Sequence, residues 1–134
     1  MAAAGIEIGC HTVSHPILAT LGAEQQRSEV TRARDRIAAE IHRPVRLFAY
    51  PNGGTRDFTA DTVGILKESG FDAACSMIRG ANAPGSDRYE LKRIGIGADP
   101  RHVLEARFCG MFDDGVRRRL GSDASGAHAA GASA

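Results

Sequence analysis

No stretch of this 134-residue chain approaches the ~20 consecutive apolar residues that a bilayer-spanning helix requires, so no membrane segment is expected. The opening Met1-Ala2-Ala3-Ala4-Gly5 also lacks the basic region and apolar core of a secretory leader, which leaves the compartment unread. An excess of charge of one sign is lacking as well. A net charge of +1 gives no electrostatic reason to expect nucleic acid, and no nucleic-acid motif occurs. Cysteine is sparse: Cys10, Cys75 and Cys109 are odd in number, far apart and without a Cys-x-x-Cys pair, which excludes a disulfide framework and a zinc ribbon. They read as small buried hydrophobes.

What is present is an ordinary globular composition, 43% hydrophobic and 25% charged, in a chain of one-domain length. Its most informative stretch is Ile6-Glu7-Ile8-Gly9-Cys10-His11-Thr12-Val13-Ser14-His15-Pro16. The alternation of Ile6 and Ile8 about Glu7 predicts a strand, with two histidines delivered at its carboxyl end, where parallel α/β folds gather functional groups. Pro16 disfavours the right-handed helical region at His15, so the pair belongs to an irregular turn. Two neutral imidazoles on one side of a turn can share a divalent cation, though a catalytic zinc site has three protein ligands and one is unaccounted for. Taken alone, the same spacing also fits two surface histidines. Cys10, next to His11 on a pleated segment, should face away from any such site.

Farther along, Ala2-Ala3-Ala4 before Gly5 reads as a helix end with a left-handed cap, as though elements before it were absent. Glu24 to Ile41 predicts an amphipathic helix with Val30, Ala33, Ile37, Ala38 and Ile41 inward and its arginines and glutamates as a solvated face. Val45 to Tyr50 predicts a strand stopped by Pro51-Asn52-Gly53-Gly54. A second helix should follow from Thr59 or Ala60 to Ser69, with Thr59 as N-cap, Val63, Ile65 and Leu66 inward, and Gly70 ending it. Phe71 to Met77 predicts a third strand, Arg79 to Glu90 a loop, Leu91 to Ile96 a fourth strand, and Pro100 to about Leu120 a last helix. The tail 121–134, almost wholly Gly, Ala and Ser, is expected to be disordered. Alternating strands and helices imply a mostly parallel α/β sheet, and four strands are too few to close a barrel.

Three segments occur in order: Glu-Ile-Gly-Cys-His-Thr-Val-Ser-His-Pro from Glu7, Arg-Leu-Phe-Ala-Tyr-Pro-Asn-Gly-Gly from Arg46, and Ser-Gly-Phe-Asp-Ala-Ala-Cys-Ser from Ser69. Together they resemble the polysaccharide deacetylase family, the NodB-homology or carbohydrate esterase family four enzymes. The resemblance covers about Gly5 to Leu120, giving a deacetylase-like domain over 1–120. It implies a partial, distorted (β/α) barrel without its N-terminal strand or strands, and a hydrolase that removes N-acetyl groups from a carbohydrate polymer. It further implies that His11 and His15 are the imidazoles of an Asp-His-His site for a divalent metal, zinc in the first place with cobalt, nickel or manganese as alternatives. Thr12 would brace their turn. Tyr50, Pro51 and Asn52 would wall the substrate groove, with the Asn52 backbone N–H helping to hold the oxyanion; the bland alternative is a structural β-turn.

The chain departs from the family pattern in several places. Nothing ahead of Gly5 supplies the Thr-Phe-Asp-Asp-Gly motif that carries the catalytic base and third ligand. Ala49 stands where the family often has an arginine paired with that base, and Arg93 is the substitute considered. No Leu-x-x-His motif supplies the general acid, and His102 is the nearest histidine. Phe112-Asp113-Asp114-Gly115 spells most of the missing motif but sits in a helical context, where its aspartates read as solvated charges unless the chain is permuted or donates them to a neighbour. Two other readings therefore stay open, a catalytically inactive carbohydrate-binding or assembly module and a non-functional fragment. An unpaired sheet edge would be left exposed, a route to a homo-oligomer.

Overall fold

Helical periodicity becomes the longest regular element. In α1 (Ala23–Ile41) Val30 and Ala33 are buried while Ile37, Ala38 and Ile41 pack against the core, as the spacing requires. The computed structural model describes residues 2–110. They form two compact units, Met1–Ile78 with Asn82–Arg93, and Arg79–Ala81 with the residues from Ile94 on.

In the first unit α1 is followed by β1 (Leu47–Ala49), α2 (Ala60–Glu68), β2 (Ala73–Arg79) and β3 (Leu91–Arg93). The sheet runs β1-β2-β3, with Phe48 opposite Ala74 in the parallel β1–β2 pair. Parallel neighbours need a crossover, and α2 provides it. Thr59 caps α2 as expected: its hydroxyl accepts from Thr62 N–H while the Thr62 hydroxyl accepts from Thr59 N–H. A buried bond from the Thr62 hydroxyl to Gln26 Oε1, 2.7 Å, fastens α2 to α1. The core between helices and sheet holds Leu18, Val30, Phe48, Tyr50, Phe58, Leu66 and Phe71.

Several expectations need correction. Ile6 to Ile8 is not a strand. Only Cys10 joins the sheet, as an isolated parallel bridge to Phe48 made by Cys10 N–H to Leu47 O and Ala49 N–H to Cys10 O. Ile6 is half exposed, so its alternation with Ile8 marks no buried face. The fourth predicted strand is shortened to Leu91–Arg93, and Ile94 and Ile96 fall in the second unit with exposed side chains. The result is a three-stranded sheet rather than a four-stranded one. Cys10 is buried, but Cys75 is only half-buried and Cys109 exposed, so the cysteines are not uniformly core residues.

The short 3-10 turn Ala2–Ala4 does end on Gly5 at φ +79°, the left-handed cap anticipated. In the second unit α3 (Arg101–Phe108) starts directly after Pro100. The predicted continuation to Leu120, the Asp113-Asp114 pair and the tail 121–134 lie outside the described residues. Among those described, no helix is long and apolar enough to cross a membrane.

Candidate active site at the carboxyl ends of the strands

The Cys10 bridge and β1 run side by side, so the segments that leave their carboxyl ends emerge together. One is the histidine turn, the other the Tyr50–Gly53 turn. Thr12 and His15 adopt left-handed φ values of 63° and 60°, which makes the first an irregular turn, as the Pro16 argument requires. Thr12 closes it from inside. Its hydroxyl donates to His11 O at 2.6 Å and accepts His15 N–H at 3.1 Å.

Glu29, reaching over from α1, closes the turn from outside. One oxygen accepts Val13 N–H and Ser14 N–H, both at 2.9 Å, and the other accepts the Ser14 hydroxyl. Desolvation is the largest single influence on this carboxyl and pushes its pKa up. The hydrogen bonds from Ser14 and Val13, with Arg32 nearby, outweigh it together and hold the group below the usual carboxylate range. Glu29 is thus no idle charge on the wet face of α1, and no local sequence signal marks it.

His11 Nδ1 lies 2.7 Å from Ala49 O. A carbonyl can only accept, so Nδ1 carries the proton and Nε2 keeps its lone pair, the tautomer a metal ligand needs. The His15 ring stands at 4.7 Å between centroids and 70° between planes. Both residues are exposed, so the pair opens to solvent. Cys10 turns the other way: its thiol, pushed up by burial and directed at Val30 O, stays out of the site as predicted.

The second turn places its predicted residues unequally. Tyr50 is 2% exposed, stacks on Phe58 at 4.0 Å and donates its hydroxyl to Tyr89 O at 2.8 Å; burial raises its pKa beyond the ordinary range. Its side chain is a core pillar and not a groove wall. Pro51 is likewise fully buried. Asn52 is exposed at φ 56°, and its backbone N–H has no acceptor among the described residues.

Gly53 shows why the turn needs this shape. At φ +71° it sits so close to β2 that a Cβ would lie 2.9 Å from Met77 N, whose N–H donates to Gly53 O at 2.8 Å. Asp57 stiffens the turn from behind by accepting Gly54 N–H at 2.7 Å. The Asp three residues after Gly54 was a signal that sequence reasoning passed over.

Arg93 stands exposed on β3 with Nη1 3.4 Å from Met77 Sδ, and it pairs with no carboxylate among the described residues. His102 is exposed on the first turn of α3, in the second unit.

The donor chemistry of His11 and His15 fits two positions of a divalent cation, because one ring is held in the ligating tautomer and the second imidazole lies beside it, 4.7 Å away between centroids. Among the described residues no group of three or more His, Cys, Asp or Glu could hold a metal. The remaining positions of such an ion fall to water or to groups beyond those residues.

Solved structures with this architecture include a deacetylase of Streptococcus pyogenes, PplD, in complex with acetate. It matches with a TM-score of 0.64 at 23% identity over 71% of this chain and 42% of its own, and at that identity the likeness speaks for the fold alone. A family 4 carbohydrate esterase from Streptomyces lividans, also in complex with acetate, matches with a TM-score of 0.50 at 27% identity over 55% of this chain and 36% of its own. The chain therefore spans less than half the length of either. No curated protein matches it. The sequence profile described as polysaccharide deacetylase covers residues 1–74, more than half the chain and the whole of both turns, so with its two imidazoles and its left-handed asparagine in place this chain belongs to the polysaccharide deacetylase family.

Proposed function

We propose that this chain carries part or all of a metal-dependent carbohydrate deacetylase centre, in which His11 and His15 hold a divalent cation, zinc in the first place, beside the Asn52 turn. The observation that carries the reading is the contact of His11 Nδ1 with Ala49 O, which assigns the proton to Nδ1 and leaves the Nε2 lone pair free, with the His15 ring 4.7 Å away between centroids. When bound, the cation would supply Lewis acidity and a water of lowered pKa.

The chain's own residues do the rest. Thr12 and Glu29 fix the backbone of the turn that bears the two rings, which lowers the ordering left to a ligand. The Asn52 N–H, without an acceptor among the described residues, is a backbone donor available to stabilise negative charge developing on an acetamide oxygen as its carbon turns tetrahedral. A water oxygen bonds to the acetamide carbon to form that tetrahedral centre, the C–N bond then breaks, acetate departs with the water oxygen, and the sugar nitrogen leaves as the amine with a proton given up by that water. Arg93 and His102 are not needed for any of these steps.

Acetate release from N-acetylglucosamine oligomers is the test. Release should need added zinc or cobalt and vanish in His11→Ala and in His15→Ala, with zinc binding measured separately by calorimetry. Metal-independent release would count against the mechanism. A second reading draws support from the donor set among the described residues, two imidazoles rather than three protein ligands: a module that binds the glycan without turning it over. Saturable oligomer binding with no acetate at any metal concentration would favour it.

A further inference from the structure

Three features adjoin one another, beginning at the Asn52 turn. Asn52 offers an N–H with no acceptor among the described residues. Gly53 O accepts Met77 N–H at 2.8 Å, which sets Met77 directly beside that turn, and the Met77 side chain is 56% exposed. Arg93 in turn meets the Met77 side chain, its Nη1 3.4 Å from the thioether sulfur, with no other partner among the described residues. A turn with a spare backbone donor, an apolar platform and a cation without a counter-charge are thus joined in succession by two contacts, Gly53 to Met77 and Met77 to Arg93.

Each suits a different part of an acidic sugar chain. A thioether is polarisable and adaptable, a fair seat for the apolar face of a pyranose ring. A guanidinium presents a planar fork that takes a carboxylate through two parallel bonds, and its resting contact with sulfur is far weaker than such a pair. The turn's N–H remains for the acetamide of the adjoining residue.

We propose that Arg93 is a specificity-determining residue: with Met77 as platform it binds a carboxylate on the sugar next to the N-acetylated one, and so selects acidic glycans. This rests on the deacetylase reading and departs from the role of partner to a catalytic base that the family resemblance suggested for Arg93. The two roles separate experimentally. A partner to the base would act on every substrate through kcat, whereas a carboxylate receptor acts on acidic substrates through KM.

The experiment compares wild type, Arg93→Gln and Arg93→Lys on two oligosaccharides, one built of N-acetylglucosamine alone and one in which it alternates with glucuronate. Loss of one charged hydrogen-bonded contact should raise KM for the acidic oligomer roughly tenfold in Arg93→Gln, while kcat for either oligomer stays within about twofold. Arg93→Lys, which keeps the charge but not the fork, should recover part of the loss, and added salt should weaken the acidic oligomer selectively. An equal loss on both oligomers, or a fall in kcat, overturns the proposal. Calorimetric binding of the acidic oligomer to wild type and to Arg93→Gln, with no metal added, needs no turnover. If neither oligomer releases acetate, the deacetylase reading fails, and a binding difference between the two proteins still decides Arg93; no difference sinks it.

Discussion

Glu29 and Asp57 are acidic side chains employed as acceptors for backbone N–H groups, one behind the histidine turn and one behind the Asn52 turn. For Glu29 this implies a pH dependence. Its folded pKa is lowered, so its contribution is fully present above the unfolded carboxylate value and is lost as pH falls through the lower folded one. Glu29→Gln keeps an acceptor but gives up the charge. The gap in urea midpoint between wild type and this variant should therefore be open at about pH 6 and should close below about pH 4. A gap that stays constant across that range would show the charge to be irrelevant. Gly53 carries a second residue-scale prediction. Gly53→Ala adds a Cβ 2.9 Å from Met77 N at a left-handed φ and should cost about 2 kcal/mol in chemical denaturation.

At the scale of elements, the two helices of the first unit are tied by a buried polar link as well as by apolar packing. Thr62→Val leaves Gln26 Oε1 without its donor and should cost about 2 kcal/mol, read as a lower urea midpoint at unchanged slope. The exposed Arg27–Glu68 pair between the same helices is worth far less, since solvent screens it. Both helices were legible in the sequence because burial repeats every three to four residues and Thr59 announces its own cap. The strands were legible only in outline. A three-residue strand such as Leu47–Ala49 is too short to display alternation, and Ile6–Ile8 displays alternation without any partner to pair with. The histidine pair was visible from spacing and Pro16. Glu29 was not, because a glutamate on an outer helical face looks the same in sequence whether water or a distant turn receives it. Tyr50 was misplaced for a related reason: its motif position says nothing of which way the ring points, and stacking on Phe58 pulls it inward.

Taken whole, the described chain has a three-stranded sheet with its terminal strand partly covered. Asn82 donates to Lys92 O and accepts Lys92 N–H, standing in for a neighbouring strand on β3 and leaving that side less open to self-association than a bare edge would be. Metal loading offers a test on the full molecule. A cation that binds only the folded state stabilises it by about 2.7 kcal/mol at a hundredfold excess over its Kd, so zinc should raise the thermal midpoint of wild type and leave His11→Ala unmoved. Equal shifts in both would place the ion elsewhere. The histidine turn carries a broader lesson for anyone hoping to transplant it. It is held from outside the segment, the His11 ring by a carbonyl of β1 and the backbone by a carboxylate of α1. Copied into a foreign scaffold, the His-Thr-Val-Ser-His string would bring its letters without its bearings.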